Sequence, residues 1–480
     1  MVGSQSPVHA QDAVDQTQME ELVQRLDRAE SSILKLETEN LQLQKELEQN
    51  YGDLSDQLEA ELKAAAESEK KEEKKEEKKE EKKEEKKKKK EWYDKIGIRG
   101  YAQFRYNYLT HRELDSAEPQ YVGDGSIEDD QEFLIRRARL ILFGDVSDHL
   151  YVYLQPDFAS TPNGAVDNNQ FAQIRDWYGD IYLDTTKIHR VRVGQSKIPY
   201  GWENLQSSRD RLPLDRDDAF NSAARNERDL GVFYYWTPEW AQDTFKFISD
   251  EGLKGSGNYG VFGFGAYNGQ GGSLREFNDE LHLISRLTLP VTLDNGQIVE
   301  AGIQGYTGRY VVTGAPIAPL GVGPARTPLN TRTNPISDEG LLDQRLGATF
   351  VYYPQPFGLQ AEHTIGRGPE LNADQTEVIR GSLHGGYVMT TYRHQSECHG
   401  EFWPFLRWQY FQGGYKNQPN APLADIDEWS VGMEWQATKE IELVCEYMLT
   451  DRTNTRAFTS GESYGQFDGQ VLRFQLQISY

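Results

Sequence analysis

The sequence predicts an all-β transmembrane barrel of about 16 antiparallel strands, preceded by an α-helical coiled coil and a charged linker. Three observations support this prediction. From residue 96 onward, apolar and polar residues alternate in short segments, as in strands with one face in lipid and the other in water. Tyr, Phe, Trp and Gly are abundant, with 26, 20, 9 and 43 copies. Before residue 92 the apolar period is instead that of a helix.

The composition excludes a membrane protein built from helices. No stretch approaches the roughly 18 consecutive apolar residues that a spanning helix needs, and the mean hydropathy is −0.73. A barrel strand needs only alternate apolar residues, so a polar average is compatible with a continuous lipid-facing band. A soluble β-sandwich is the alternative. It would need a polar exterior, whereas aromatic residues here cluster at strand ends, as they do at the edges of a bilayer.

The first ten residues are interpreted as the remnant of an export signal. Val8-His9-Ala10 before Gln11 has the small-x-small form of a signal-peptidase site. No charged and apolar signal segment precedes it, so an arbitrary cytosolic start is the alternative. The signal interpretation predicts export, with the barrel in the bacterial outer membrane and the N-terminal arm in the periplasm.

Residues 11–69 are predicted to form a periplasmic coiled coil. Apolar residues recur at alternating steps of three and four over about five heptads. The seam consists of Leu22, Leu26, Ala29, Ile33, Leu36, Leu43, Leu47 and Leu54. Asn40 falls on the same seam, where a buried amide needs a partner across the interface and therefore sets register and oligomer state. A single amphipathic helix packed on a globular body is the alternative.

Residues 70–91 are predicted to be a solvated spacer of mixed helix and coil. Their Lys-Lys-Glu-Glu repeat places like charges four residues apart, which disfavours a helix by a few tenths of a kcal/mol per pair. A fully helical spacer would be on the order of 30 Å long. The interleaved glutamates cancel most of the positive field, so no nucleic-acid partner is expected.

The domain 92–480 begins and ends with the clearest strand patterns. In segment 96–108, apolar Ile98 and Phe104 share one face, which would meet lipid. The opposite, water-facing set is Arg99, Tyr101, Gln103, Arg105 and Asn107. The last segment repeats the pattern and ends on Tyr480. A terminal aromatic residue in such a strand resembles the signal that the outer-membrane barrel assembly machinery reads.

Ten similar segments lie between these two strands. They are 134–143, 150–158, 176–183, 189–196, 230–236, 281–289, 345–353, 402–411, 429–435 and 441–449. Other segments are weaker. At about 24 residues per strand with its share of loop, the domain accommodates roughly 16 strands, a number that encloses an aqueous channel.

Two motifs resemble the phosphate-selective porin O and P family. The first is Arg136-Arg137-Ala138-Arg139-Leu140 leading to Gly144-Asp145-Val146 and later Asp157-Phe158-Ala159. The second, more distinctive one is Val191-Arg192-Val193-Gly194-Gln195-Ser196-Lys197-Ile198-Pro199-Tyr200, followed by Leu205 to Asp210. The resemblance extends over 92–480. It implies a homotrimer of 16-stranded barrels in outer-membrane lipid, with an inward-folded third loop at about 198–228 and basic residues along the path of an anion.

Strand parity and this loop give nine candidate pore-lining or anion-binding residues. They are Arg99, Arg105, Arg137, Arg139, Arg190, Arg192, Lys197, Arg209 and Arg211. Arg136 has the opposite parity to Arg137, so it is expected to face outward unless a bulge intervenes. The alternative for each arginine is to brace the wall through a carboxylate. The candidate carboxylates are Asp157, Asp176, Asp180, Glu203 and Asp210.

The predicted function is passive diffusion of small anions, phosphate among them. However, residues 92–480 hold 34 Lys and Arg against 51 Asp and Glu, a net charge of −17. If that acid lined the constriction, the pore would prefer cations. An alternative function, suggested by the arm, is an outer-membrane tether to the cell wall or peptidoglycan with a weakly selective pore.

Catalysis is not predicted for this sequence. It contains no Gly-x-Ser-x-Gly elbow and no His-Glu-x-x-His helix, so no enzyme activity, cofactor or metal is expected. His282 shares parity with Arg286 and is expected to line the wall. Cys398 and Cys445 have no metal or redox spacing, and whether they form a disulfide is left open.

Overall fold

The computed structural model divides the chain into two units, Met1–Lys90 and Glu91–Tyr480. In the first unit, the described positions are scattered between 23 and 63, and they are helical and exposed. The predicted signal remnant, the coiled-coil seam with Asn40, and the Lys/Glu repeat lie outside the described residues. The second unit is described over 92–129, 131–160, 171–272, 274–317, 327–329, 340–454 and 464–480.

The second unit is built from antiparallel strands that pair with their neighbours in sequence. The strands are β1 (Gly97–Arg112), β2 (Phe133–Ser147), β3 (Leu150–Ser160), β4 (Phe171–Tyr182), β5 (His189–Lys197), β6 (Arg228–Trp236), β7 (Phe262–Tyr267), β8 (His282–Thr292), β9 (Ile298–Tyr310), β10 (Leu341–Tyr352), β11 (Phe357–Leu371), β12 (Val378–Tyr392), β13 (His394–Ser396), β14 (Gly400–Gly414), β15 (Leu423–Gln436), β16 (Ile441–Thr453) and β17 (Gln466–Ser479). Three short helices are α1 (Trp202–Leu205), α2 (Asp218–Asn221) and α3 (Glu239–Asp250).

Pairing of the first and last strands closes the sheet. Tyr101 in β1 lies opposite Ser479 in β17, and the register continues along both strands. The short β13 pairs with β14 beside β12 and so continues the path of that strand. The described residues therefore form a closed barrel of 16 antiparallel strands, as predicted. Closure leaves no open sheet edge. An open edge would expose unpaired backbone groups to the hydrocarbon of the bilayer.

The predicted alternation of faces is confirmed. Ile98 and Phe104 are 69% and 39% exposed on the outer surface, whereas Gln103 and Arg105 on the inner face are 0% and 1% exposed. In β17, Phe474 is exposed and Arg473 is buried. No helix in the described part of the chain has the length and apolar character needed to cross a bilayer.

The connections differ in length at the two ends of the barrel. At one end of the barrel most connections are short turns, such as the one between β2 and β3. The other end carries longer loops. Short turns face the periplasm in outer-membrane barrels and longer loops face outward. One periplasmic connection, 237–261, is long and contains α3. This helix packs Ala241, Phe245 and Ile248 in one apolar cluster with Trp202 and Tyr353.

The third loop, residues 198–227 between β5 and β6, folds into the barrel. Phe220 in α2 is fully buried and belongs to an apolar cluster that includes wall residues of several strands. Two glycines of the wall make room for this loop. A Cβ at Gly347 would lie 3.0 Å from Phe220 Cε1, and one at Gly385 would lie 2.8 Å from Ala219 Cβ. The predicted inward position of this loop is therefore seen in the structure.

Polar contacts with β11 and with the end of β5 anchor the third loop. Glu362 in β11 accepts hydrogen bonds from the backbone N–H groups of Trp202 (2.6 Å) and Glu203 (2.8 Å). Lys197 Nζ, at the end of β5, donates to the carbonyl oxygens of Leu205 (2.9 Å) and Gln206 (2.7 Å). Because buried polar groups are costly to leave unpaired, these contacts hold the loop in one position.

The lipid-facing assignment can be tested at Val431. This side chain is 53% exposed near the middle of β15. We expect Val431→Arg to reduce the unfolding free energy in lipid vesicles by about 2–4 kcal/mol, because a charge would face the hydrocarbon. Val431→Leu is the matched control and should change it little. Urea-induced unfolding followed by tryptophan fluorescence measures both, and equal stabilities would contradict the assignment.

The anchoring role of Lys197 gives a second prediction. Lys197→Met removes the two donors that hold the loop but keeps the aliphatic chain. We expect faster hydrogen exchange at 203–210 and noisier single-channel currents, because the loop would sample positions away from the wall. Lys246→Met is the control, since Lys246 is exposed on α3 and pairs there with Asp250. Identical exchange in both variants would refute the role.

Candidate functional site

The two larger cavities in the described interior of the barrel lie on either side of the third loop. The larger, about 800 Å³, is lined by residues of the periplasmic connections such as Ser256 and Lys439, and we call it the periplasmic vestibule. The smaller, about 380 Å³, is lined by Gly123 and Asn417 of the outer loops, and we call it the arginine cavity. Arg139 lines both cavities. The two cavities therefore adjoin at this residue.

The arginine cavity has a strongly basic lining. Its charged residues are Arg136, Arg137, Arg139, Arg175, Arg211, Arg216 and Arg225, with Asp157, Asp215 and Glu227. Seven guanidinium groups thus face three carboxylates. The positive surplus contrasts with the acidic average of the whole chain, and an anion in this cavity would be attracted from several directions.

Two arginines of this cavity lack a carboxylate partner. Arg137 Nη1 donates to Gln103 Oε1 at 2.7 Å, and Arg211 donates to the carbonyl oxygens of Pro213 and Leu214. Within the described residues, neither has a carboxylate oxygen within 4.0 Å. Arg211 Nη1 is buried without any hydrogen-bond partner there. These two groups are therefore the best placed to bind an incoming anion.

Two residues of the third loop that line the arginine cavity, Arg211 and Asp215, are charged at neutral pH. Burial and the neighbouring Arg216 lower the pKa of Arg211 to about 9, so its guanidinium stays protonated at pH 7. Burial raises the pKa of Asp215, but Arg473 and Arg105 lower it more, and the net pKa is below the usual range. Asp215 is therefore ionised and serves to hold those two arginines in place.

Most of the other predicted arginines brace the wall. Arg105 pairs with Asp124 at 2.5 Å, and Arg139 pairs with Asp157 at 2.8 Å. Arg192 and Arg190 share one carboxylate. Arg192 Nε and Arg190 Nη1 lie 2.7 Å and 3.5 Å from oxygens of Asp180. The bracing alternative thus describes these four residues. All five carboxylates that were candidates for bracing form ion pairs with basic side chains.

Arg136 corrects the parity argument. The register between β1 and β2 shifts between Gln103 and Phe104, which leaves Arg136 as an extra residue in β2. Such a bulge turns the side chain out of the ordinary alternation. Arg136 Nη2 donates to the carbonyl oxygen of Gly123 at 2.6 Å, and both Arg136 and Arg137 line the arginine cavity. The exception allowed for a bulge therefore applies, and Arg136 does not face outward as parity alone would predict.

The remaining predicted residues have different surroundings. Arg99 is exposed in the periplasmic vestibule, with its guanidinium 4.7 Å from the centre of the Phe143 ring. Arg209 also lines the vestibule and pairs with Asp210 at 2.9 Å. Lys197 is an anchor of the third loop. Tyr480 closes the barrel, because its backbone exchanges two hydrogen bonds with Gly100.

Besides Arg136, three arginines of the cavity were not among the predicted site residues. Arg216 and Arg225 lie within the predicted third loop, so the position of the loop could have identified them. Arg175 lies at a register shift between β3 and β4, and strand parity therefore gives no reliable orientation for it. Its Nη2 lies 3.6 Å from Glu227, which also pairs with Arg216 at 2.7 Å.

Other side chains considered from the sequence have structural surroundings. His282 is buried in the wall, as expected, and its Nε2 lies 3.1 Å from the carbonyl oxygen of Arg309. Cys398 and Cys445 are both free thiols. Across the described residues, no group of three or more His, Cys, Asp or Glu side chains is placed to hold a metal ion.

Solved structures with a similar overall fold include three outer-membrane proteins. The channel DcaP of Acinetobacter baumannii is 13% identical, with a TM-score of 0.46 over 80% of this chain and 97% of that chain. OmpT of Vibrio cholerae, in trimer form, is 10% identical, with a TM-score of 0.44 over 80% and 99%. Salmonella typhi OmpF in complex with daunomycin is 13% identical, with a TM-score of 0.47 over 80% and 97%.

Sequence comparison assigns the family. No curated protein matches the chain. The family model described as phosphate-selective porin O and P matches residues 116–480, which includes both motifs singled out above and all of the barrel strands except β1. The chain therefore belongs to the phosphate-selective porin O and P family and is an outer-membrane β-barrel channel.

Proposed function

We propose that this porin passes small anions by passive diffusion, and that phosphate is among them. The observation that carries the proposal is the arginine cavity, where seven guanidinium groups face three carboxylates. Charges in a low-dielectric constriction act more strongly on an ion than distant, screened charges do. The net charge of −17 over 92–480 is therefore compatible with anion preference.

Arg137 and Arg211 are proposed as the residues that receive the anion. An ion that enters a narrow pore loses part of its hydration, so the wall must replace those contacts without binding too tightly for release. A guanidinium offers two parallel N–H donors that match two oxygens of phosphate. The arginines already paired with Asp157, Asp180 or Glu227 would provide the surrounding field and keep the wall rigid.

The assembly proposed for this porin is a homotrimer in outer-membrane lipid. Membership of the family supports it, as does the lipid-facing apolar surface of the barrel. Residues 11–90 would project into the periplasm, and the terminal Tyr480 would be recognised by the barrel assembly machinery.

The two unpaired arginines allow a direct test of anion preference. We expect Arg137→Gln and Arg211→Gln each to lower the chloride-to-potassium permeability ratio by about fivefold, because one charge in a constriction is worth on the order of 1 kcal/mol to an ion. Reversal potentials in planar bilayers under a KCl gradient, with and without added phosphate, measure this ratio.

Arg367→Gln is the matched control for this experiment. Arg367 is exposed in β11 and does not line either cavity, so its loss should leave the permeability ratio unchanged. A wild-type channel that prefers potassium would overturn the proposed function. An equal effect of all three substitutions would overturn the assignment to Arg137 and Arg211.

A second candidate function is a tether from the outer membrane to the cell wall. It is favoured by the separate N-terminal unit, whose described positions between 23 and 63 are helical and exposed. Deletion of residues 11–90 separates the two functions. We expect conductance in bilayers to persist, because the barrel is a unit of its own, and envelope attachment to be lost, which vesicle release from cells measures. Unchanged vesicle release would exclude the tether.

A further inference from the structure

Aromatic side chains distinguish the periplasmic vestibule from the arginine cavity. The described lining of the arginine cavity contains no Phe, Tyr or Trp. The aromatic residues that line the vestibule are Tyr101, Tyr151, Tyr153, Tyr178, Phe245, Tyr259, Tyr353 and Trp403. In a barrel, aromatic residues usually lie on the outer face at the bilayer edges. That explanation does not apply to rings on the water-filled side. The passage of an inorganic anion does not require aromatic side chains either.

Three of these tyrosines form a continuous patch on the wall. Tyr151 and Tyr153 lie on the inner face of β3, and Tyr153 is directly opposite Tyr178 of β4. The rings of Tyr153 and Tyr178 are stacked, with centroids 5.1 Å apart and planes 13° from parallel. All three side chains are only partly buried. They therefore offer flat aromatic surface to a solute in the vestibule.

A cation lies beside this patch. Arg99 is exposed in the same vestibule, and its guanidinium lies 4.7 Å from the centre of the ring of Phe143, the residue that pairs with Tyr153 between β2 and β3. Within the described part of the barrel, no carboxylate oxygen lies within 4.0 Å of this guanidinium. By contrast, Arg192 lies 3.8 Å from the centre of the Tyr178 ring but is held by two hydrogen bonds to Asp180. Arg99 is thus the cation of this wall that can accept a new anionic partner.

We propose that the vestibule binds aromatic carboxylates, with the ring against Tyr151 and Tyr153 and the carboxylate on Arg99. A volume of about 800 Å³ is ample for such a solute. The charged lining, nine basic and six acidic side chains, also favours an anion. This inference rests on the proposed function, because it names a class of anion for the same channel. It adds a binding step that the arginine cavity does not provide.

Channel block by benzoate tests the proposal. Wild-type trimers in planar bilayers are titrated with benzoate, added first to one side of the membrane and then to the other. We expect reversible interruptions of the chloride current at a benzoate concentration at least about tenfold below that needed for acetate or benzyl alcohol, because only benzoate combines ring and charge. Glucuronate, a ring acid without an aromatic face, should block as weakly as acetate.

Four variants locate the site. Arg99→Gln and Tyr153→Ser should each raise the half-blocking benzoate concentration about fivefold or more. Tyr153→Phe keeps the ring and should stay within about twofold of wild type. Tyr108→Ser is the matched control, because Tyr108 is exposed on the outer surface. Arg99 is exposed, so its variant tests the site even if Tyr153→Ser fails to fold.

The outcomes separate this inference from the proposed function. An anion-selective channel that benzoate blocks no better than acetate overturns the aromatic site alone. Equal or stronger block by glucuronate overturns the aromatic assignment in favour of sugar acids. Unchanged benzoate block in Arg99→Gln overturns the placement. A reversal potential that favours potassium overturns the proposed function itself, whatever benzoate does.

Discussion

Closure of the sheet is the constraint on which the rest of the structure depends. In hydrocarbon every peptide N–H and C=O must be paired within the protein, and the pairing of β1 with β17 achieves this without an open edge. Closure also divides side chains into an outer set in lipid and an inner set around water. The inner position of Arg105, Arg139 and Arg192 follows from that division, since an arginine that faces the hydrocarbon would be costly.

The closed wall is narrowed and made rigid by what lies inside it. The third loop is held by Glu362 and Lys197, and its Phe220 packs against Gly347 of the wall, where a side chain would leave less space. Ion pairs such as Arg139 with Asp157 connect neighbouring strands. Such buried pairs contribute little net stability, because desolvation offsets most of the attraction. Their effect is to hold guanidinium groups at fixed positions on the inner wall.

The strands that were located from the sequence differ from the other four in the clarity of their apolar alternation. Twelve segments with clear alternation all correspond to strands, whereas β7, β9, β11 and β12 were too weak to be located individually. Glycines are frequent in these four, with two among the six residues of β7 and three each in β9, β11 and β12, although identified strands such as β1 and β10 also contain glycine. At Gly385 in β12 a Cβ would lie 2.5 Å from the backbone oxygen of Tyr410 in β14 and 2.8 Å from Ala219 Cβ in the third loop. A wall shaped around an inserted loop thus loses part of its alternation.

By itself the sequence determined the barrel, its approximate strand number, the inner position of Arg105 and Arg139, and the loop that enters the lumen. These follow from local periodicity and from motifs that are continuous in the chain. Only the tertiary structure decided which arginines are neutralised, since partners such as Glu203 and Arg407 are 204 positions apart. The tertiary structure also decided whether Arg136 faces the lumen or the lipid. A bulge depends on the register between two strands, and parity within one strand does not contain that information.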